Sequence, residues 1–361
     1  MNGKSKRVLF YFPGTMANGG IEAFMMNYYR HFDKSKLQID FVELGLDKGF
    51  YDEEIAMYGG KTYHLPPSSS IFETKRFFDE LITNYGYETI HFHCDDFAVK
   101  SIVAARLSRF KNRIAHSHNN ADPFAGRLGP IKRKLTTLLT NYHFACSEEA
   151  GRWLFGKSPF TVINNAIDIS RFHYNEENRS FFRAKYHIPR DAIVIGCVGH
   201  LLESHKNQSF LIRALQIIHI SHPSCFLFLV GDGVDRPFLE KTVKEKTISN
   251  VIFAGNLANQ DFYSCFDVFA LPSFHEGNSI ACLEAIANGL YCVISNNVPL
   301  ARGLEDYEKQ LSLASGPSRW SEEILRAAKL REKLFRDLKM REAGFDIRCE
   351  AEKLQEFYLK K

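Results

Sequence analysis

Short apolar runs of strand length alternate along this chain with stretches whose apolar residues recur at helical spacing. Residues 7–12 (Arg-Val-Leu-Phe-Tyr-Phe) make a first such run, and Ile21, Phe24, Met25, Tyr28 and Phe32 follow it at helical steps. The rhythm continues with strand-like residues 37–42, 61–64 and 88–93, separated by a helix ending near Tyr58 and another over 72–85. It restarts with runs at 193–199, 226–230 and 251–254 and a helix over 207–222. Such alternation predicts an α/β fold with doubly wound parallel sheets, because parallel strands need a crossover and the helix supplies it. At 361 residues the chain exceeds one ordinary core, so two domains are expected.

The most informative stretch is 274–285, Phe-His-Glu-Gly-Asn-Ser-Ile-Ala-Cys-Leu-Glu-Ala, which follows the apolar run Val268-Phe269-Ala270-Leu271-Pro272. The run reads as a buried parallel strand, and Ser279 onward reads as a helix with Ile280, Leu283 and Ala287 on one face. Ligands of open α/β sheets bind at such strand-to-helix junctions. Glu276 lies in the turn and Glu284 about two helical turns along, so the pair could reach the two ends of a ligand roughly 10 Å long. Gly277 lets a ligand touch backbone, and the N–H groups of residues 278–281 at the helix start suit a phosphate. The bland alternative is two carboxylates on a solvated helix start.

This Glu-x7-Glu pattern resembles the donor-site signature of the GT-B glycosyltransferases of family 4, a large retaining group that uses nucleotide-diphosphate sugars. The resemblance implies two Rossmann-like domains facing a central cleft, with a C-terminal helix crossing back to the first. It gives Glu276 to the transferred sugar and Glu284 to the nucleotide ribose, with Gly277, Asn278, Ser279 and Ile280 at the donor. Gly19-Gly20 before Ile21-Glu22 is on its own more often only a turn; it is similar to the family's Gly-Gly-x-Glu loop, which faces the donor phosphates.

Two His-x-His pairs, His91-Phe92-His93 and His116-Ser117-His118, end consecutive strand-like runs. Period two puts both members of a pair on one strand face, so a metal site must be weighed. His91-x-His93-x-Asp95 even resembles part of a metallo-hydrolase signature, but Asp96 stands where another His is wanted. Residues 113–119, Arg-Ile-Ala-His-Ser-His-Asn, instead resemble the exopolysaccharide-type branch of family 4, which assigns His118 to the sugar near the reacting carbon. His93 is a lesser candidate on the acceptor side. On the bland reading, one His of each pair packs against a helix.

Residues 163–168 with Arg171-Phe172 resemble the family's crossing between domains, which places an acceptor-side domain at 1–172, rejoined by the last helix at 345–361, and a donor domain at 173–344. Gly199-His200, with Lys206 downstream, resembles the Gly-Arg plus Lys element that holds the donor diphosphate, except that His200 replaces Arg. An imidazole cannot grip phosphate bidentately as a guanidinium does. Gly231-Asp232-Gly233 makes a turn near the expected nucleotide or simply a turn, and Gly255-Asn256 stands where relatives bind the base through backbone. Gly316-Pro317 reads as a break before two helices over 320–341, and Ile347, Ala351, Leu354 and Tyr358 form an apolar stripe on a last helix.

The net charge of +4 hides an imbalance, with nine Lys and Arg over residues 100–134 and Asp122 the single acid between Asp96 and Glu148. Lys132, Arg133 and Lys134 suit an anionic membrane or a phosphorylated acceptor, and equally a solvated face. Nothing resembles a nucleic-acid reading motif. Eight cysteines without Cys-x-x-Cys, and no stretch of membrane-spanning length, predict reduced thiols and a cytoplasmic chain, peripheral at most on the inner membrane face.

Together these readings predict a retaining glycosyltransferase that needs no metal or other cofactor. Its expected co-substrates are a nucleotide diphosphate sugar, UDP-linked, and a saccharide or lipid-linked acceptor. The competing expectations are a non-catalytic sugar-nucleotide-binding protein of the same fold and a metal-dependent hydrolase built on the histidine pairs.

Overall fold

A computed structural model describes residues 5–17, 19–93, 98–120, 127–257, 259–331 and 336–361. Asp95, Asp96 and Asp122 lie outside these residues. The chain forms two compact units, Met1–Ala166 with Ile347–Lys361, and Ile167–Asp346.

The first unit is built on seven parallel strands: β1 (Lys6–Phe12), β2 (Leu37–Leu44), β3 (Thr62–Leu65), β4 (Thr89–His93), β5 (Asn112–Ser117), β6 (Tyr142–Ala145) and β7 (Thr161–Val162). They are ordered β3-β2-β1-β4-β5-β6-β7, so the winding reverses between β1 and β4. Val8 to Tyr11 are fully buried, as a central strand covered on both faces requires. Local chemistry ends the crossover helices cleanly. In helix Ile71–Tyr85, Ser70 and Glu73 form a reciprocal capping box, and Gly86 closes the other end at φ 75°, where a side chain would be strained.

The second unit carries six parallel strands: β8 (Val194–Val198), β9 (Phe226–Val230), β10 (Val251–Gly255), β11 (Val268–Leu271), β12 (Cys292–Ser295) and β13 (Glu308–Leu311). Their order, β10-β9-β8-β11-β12-β13, reverses between β8 and β11. All four residues of β11 are buried. The loops after β8 and β11 thus flank a topological switch point, where the carboxyl ends of neighbouring strands leave room for a ligand.

The last helix, Ile347–Lys360, belongs to the first unit, and its stripe of Ile347, Ala351, Leu354 and Tyr358 is buried. Gln355 accepts a hydrogen bond from the Asp33 N–H at 2.6 Å, fixing the helix beside Gly20–His31. The unit boundary falls at Ala166, earlier than Phe172, because Ile167, Ile169 and Phe172 pack into the second core. Gly316-Pro317 does not break the chain either. It opens helix Gly316–Ala327, where Pro in the first turn forfeits no intrahelical bond.

Candidate functional site

At the second switch point, Glu276 and Lys206 meet. Lys206 ends the short helix Glu203–Lys206 after β8, and Glu276 sits in the turn after β11. Lys206 Nζ lies 2.5 Å from Glu276 Oε1, and the Ser273 hydroxyl donates to the same oxygen at 2.8 Å. Among the described residues Glu276 Oε2 has no hydrogen-bond partner. Burial pushes the Glu276 carboxyl up, but Lys206, His205 and Ser273 outweigh it and hold it below its ordinary value. The loops are also tied to each other directly, since the Phe274 N–H donates to the His205 carbonyl at 2.8 Å and the Asn207 side-chain amide to that of Pro272 at 3.2 Å.

Ser279 then caps helix Ile280–Ala287, its hydroxyl accepting from the Cys282 N–H at 3.4 Å, and Gly277 is buried just before it. Asn278 and Ile280 are partly exposed at the helix start. Glu284 follows on that helix and accepts from the Tyr263 hydroxyl at 2.6 Å. Burial pushes the Glu284 carboxyl up to about 7, with the Tyr263 bond and Arg171 pulling the other way.

The glycines of the neighbouring loops have packing reasons. A Cβ on Gly231 would lie 2.1 Å from the Gly199 carbonyl oxygen, and one on Gly233 would lie 2.4 Å from that of Leu201. Gly231-Asp232-Gly233 therefore locks the loop after β9 against the loop after β8. His200 is exposed on the loop after β8 and Asn256 on the loop after β10.

In the first unit, Gly19 and Gly20 open helix Gly20–His31 after β1, with Gly19 at the N-cap. Glu22 folds back over this start. It accepts from the Ala17 N–H at 3.2 Å, and its carboxylate would clash at 2.5 Å with any Cβ on Gly19.

All four histidines of the two pairs are buried. Their rings run together through the core: His91 to His93 at 4.0 Å, His116 to His118 at 4.2 Å, with His93 Nδ1 3.2 Å from His118 Nε2. Phe10, Phe24, Phe144 and Tyr358 enclose them. Burial depresses the His118 imidazole to about 3, leaving it neutral at physiological pH.

The family model for glycosyl transferases group 1 matches residues 178–343. EpsF of Bacillus subtilis strain 168, named as a glycosyltransferase, is 33% identical over 345 residues, 91% of this chain and 89% of EpsF. The chain belongs to the group 1 glycosyltransferases. The O-antigen biosynthesis glycosyltransferase WclY of Escherichia coli is 26% identical over 156 residues, 43% of this chain and 42% of WclY. Among solved structures, Anabaena HepE in complex with UDP and glucose superposes with a TM-score of 0.78 at 16% identity, over 97% of this chain and 98% of HepE. The fold is thereby GT-B.

This glycosyltransferase places Lys132, Arg133 and Lys134 on helix Gly129–Leu139 of the first unit. Arg133 lies over the Trp153 ring at 5.1 Å. Leu128, Ile131, Leu135 and Leu138 are exposed on the same helix, a 3-4-3 spacing visible in the sequence but unread there. Ser273 and Tyr263, which hold the two glutamates, were also missed. Ser273 could have been flagged as the residue that ends the strand, whereas nothing local marks Tyr263, 21 residues from its partner. Among the described residues no helix is long and apolar enough to cross a membrane. The described cysteines are free thiols, six of the seven buried.

Proposed function

We propose that this glycosyltransferase moves a sugar from a UDP-sugar to a saccharide or lipid-linked acceptor in surface polysaccharide assembly, with retention of anomeric configuration and without a metal ion at the donor. The carrying observation is the Glu276–Lys206 pair at 2.5 Å, joining the two loops of the switch point beside a helix start. Support for the donor comes from HepE, a protein of the same fold whose complex holds UDP and glucose. The names of WclY and of its kin point to surface polysaccharide.

In the reaction the bond between the sugar's anomeric carbon and the diphosphate oxygen breaks, and a bond to an acceptor oxygen forms. The acceptor hydroxyl proton passes to the departing phosphate. Glu276 and His118 orient the sugar, and Glu284 takes the ribose hydroxyls. Lys206, with backbone N–H groups at the start of Ile280–Ala287 and at Gly19-Gly20, meets the developing diphosphate charge. His200 and Asn256 stand exposed for the diphosphate and the base, and His93 supports His118. Residues 1–166 with the last helix are the acceptor side and 167–346 the donor side.

The test is incubation of the purified chain with a panel of UDP-sugars and lipid-linked saccharides in the presence of a chelator. The product is followed by mass spectrometry and its anomeric configuration by NMR. Transfer from a UDP-sugar with retention is the expected result. Donor binding without transfer across the panel overturns the enzymatic reading in favour of a sugar-nucleotide-binding protein, and an absolute requirement for added Mg2+ or Mn2+ overturns the reading without a metal at the donor.

A further inference from the structure

We propose that His91, His93 and His116 bind one late first-row transition-metal ion inside the first unit, in a structural site whose ion takes no part in the bond-breaking step. One potential ligand atom from each residue lies within 4.8 Å of the others, and all three residues are fully buried. Backbone register sets this meeting. His91 and His93 share a face of β4 by the two-residue period, and His93 pairs directly with His116 on β5.

The hydrogen-bond pattern separates the ring nitrogens into two classes. His91 Nδ1 is 2.6 Å from the Tyr358 hydroxyl, and His93 Nδ1 is 3.2 Å from His118 Nε2. The opposite nitrogens, His91 Nε2 and His93 Nε2, and both nitrogens of His116 are buried with no hydrogen-bond partner. Metal-binding histidines show this division: one nitrogen faces the ion while the other is held by an outer partner that fixes tautomer and orientation. Without an ion, several buried polar atoms stay unsatisfied, each at a cost of about 1–3 kcal/mol. Burial first, and then the neighbouring imidazoles, keep all three rings well below their ordinary pKa, so they are neutral and ready to donate.

The donor set is nitrogen only, which favours Zn2+, Cu+, Co2+ or Ni2+ over Mg2+ or Ca2+. The rings of His91 and His116 lie within 8° of parallel, so closing on one ion requires rotation about χ2, a soft torsion in histidine. Metal–nitrogen bonds of about 2.0–2.1 Å then draw the ligand atoms closer than they now stand. Three neutral imidazoles leave the fourth position of a tetrahedral ion to water or hydroxide.

The test uses the full-length chain without an affinity tag, unfolded in chelator and refolded with or without Zn2+ or Co2+. One equivalent bound, a tetrahedral Co2+ absorption spectrum and a higher melting temperature are expected. His116→Phe should abolish stoichiometric binding, and Tyr358→Phe, which keeps the ring and removes only the outer hydroxyl, should weaken it about 10- to 100-fold. Should His116→Phe fail to fold, the Tyr358→Phe affinity decides. No uptake by the refolded wild type, or binding undiminished by Tyr358→Phe, overturns the proposal. The donor chemistry assigned to the second unit is untouched by either result.

Discussion

Tyr263, fully buried in the second core, donates a 2.6 Å hydrogen bond to Glu284 Oε2 and so fixes a carboxyl that burial holds at about 7. The bond favours the ionised form while burial disfavours it, and burial wins. Because the folded value lies above the ordinary 4.5, the native state holds the extra proton between about 4.5 and 7, and this group's contribution to stability falls as pH rises through that window.

The same shift predicts a pH dependence of nucleotide affinity. If ribose hydroxyls donate to the Glu284 carboxylate, wild-type affinity for UDP should rise relative to Glu284→Gln by about tenfold from pH 6 to pH 8. The comparison with Gln cancels titration of the nucleotide's own phosphate. Tyr263→Phe, by removing the bond that favours ionisation, should move the midpoint upward. Calorimetry across this range checks both, and a wild-type to Gln ratio independent of pH rejects the ribose assignment.

Glu276 should behave differently from Glu284. Glu276→Ala frees Lys206 for the diphosphate and removes no group assigned to the nucleotide itself, so UDP affinity should fall by no more than about threefold while turnover falls by about 100-fold or more. Glu276→Gln, which can still accept from Ser273, should fall less. Steady-state kinetics beside UDP binding tests this, and a variant that loses UDP affinity in proportion to turnover counts against the sugar-orienting role.

His200 is exposed, so an arginine there meets no packing obstacle. If the position faces the diphosphate, His200→Arg adds a permanent charge and a bidentate grip, and donor turnover should rise by about tenfold, the lower part of the range for a charged hydrogen bond. Unchanged or lower turnover at saturating acceptor would show that Lys206 carries this work alone.

The alternating pattern made the two parallel sheets legible because strand and crossover helix have different periods, and β9 even begins and ends where its apolar run does. The glutamate turn was legible for the same reason: strand, Gly277 and a Ser279-capped helix follow one another in sequence. What stayed hidden depends on distance along the chain. The Tyr263–Glu284 bond arises only when the turn Asp261–Cys265 packs on helix Ile280–Ala287, the four-ring histidine stack only when β4 and β5 come into register, and the close approach of Gly231 to Gly199 is set by two loops 32 residues apart. Helix Gly316–Ala327 was misread at its start because Pro can open a helix as well as end one.

The last prediction concerns helix Gly129–Leu139. Leu128, Ile131, Leu135 and Leu138 are 61%, 57%, 38% and 68% exposed, four large apolar side chains on one face of a helix that also carries Lys132 and Lys134. Burying a leucine or isoleucine in the acyl boundary contributes about 1.5–3 kcal/mol, and each nearby lysine adds about 1 kcal/mol on an anionic leaflet. The two terms separate experimentally, because salt screens the charge and leaves the apolar term. Binding to vesicles containing anionic lipid should therefore weaken partly with added salt. Lys134→Glu, an exposed position, should remove some of the salt-sensitive part. Ile131→Asp with Leu138→Asp should reduce binding by at least about tenfold at any salt concentration. Melting temperatures of the variants check that the helix, held by its buried Thr136 face, remains folded. Vesicle binding that the double aspartate leaves unchanged would mean that this face is only solvated, and that the acceptor reaches the protein from solution.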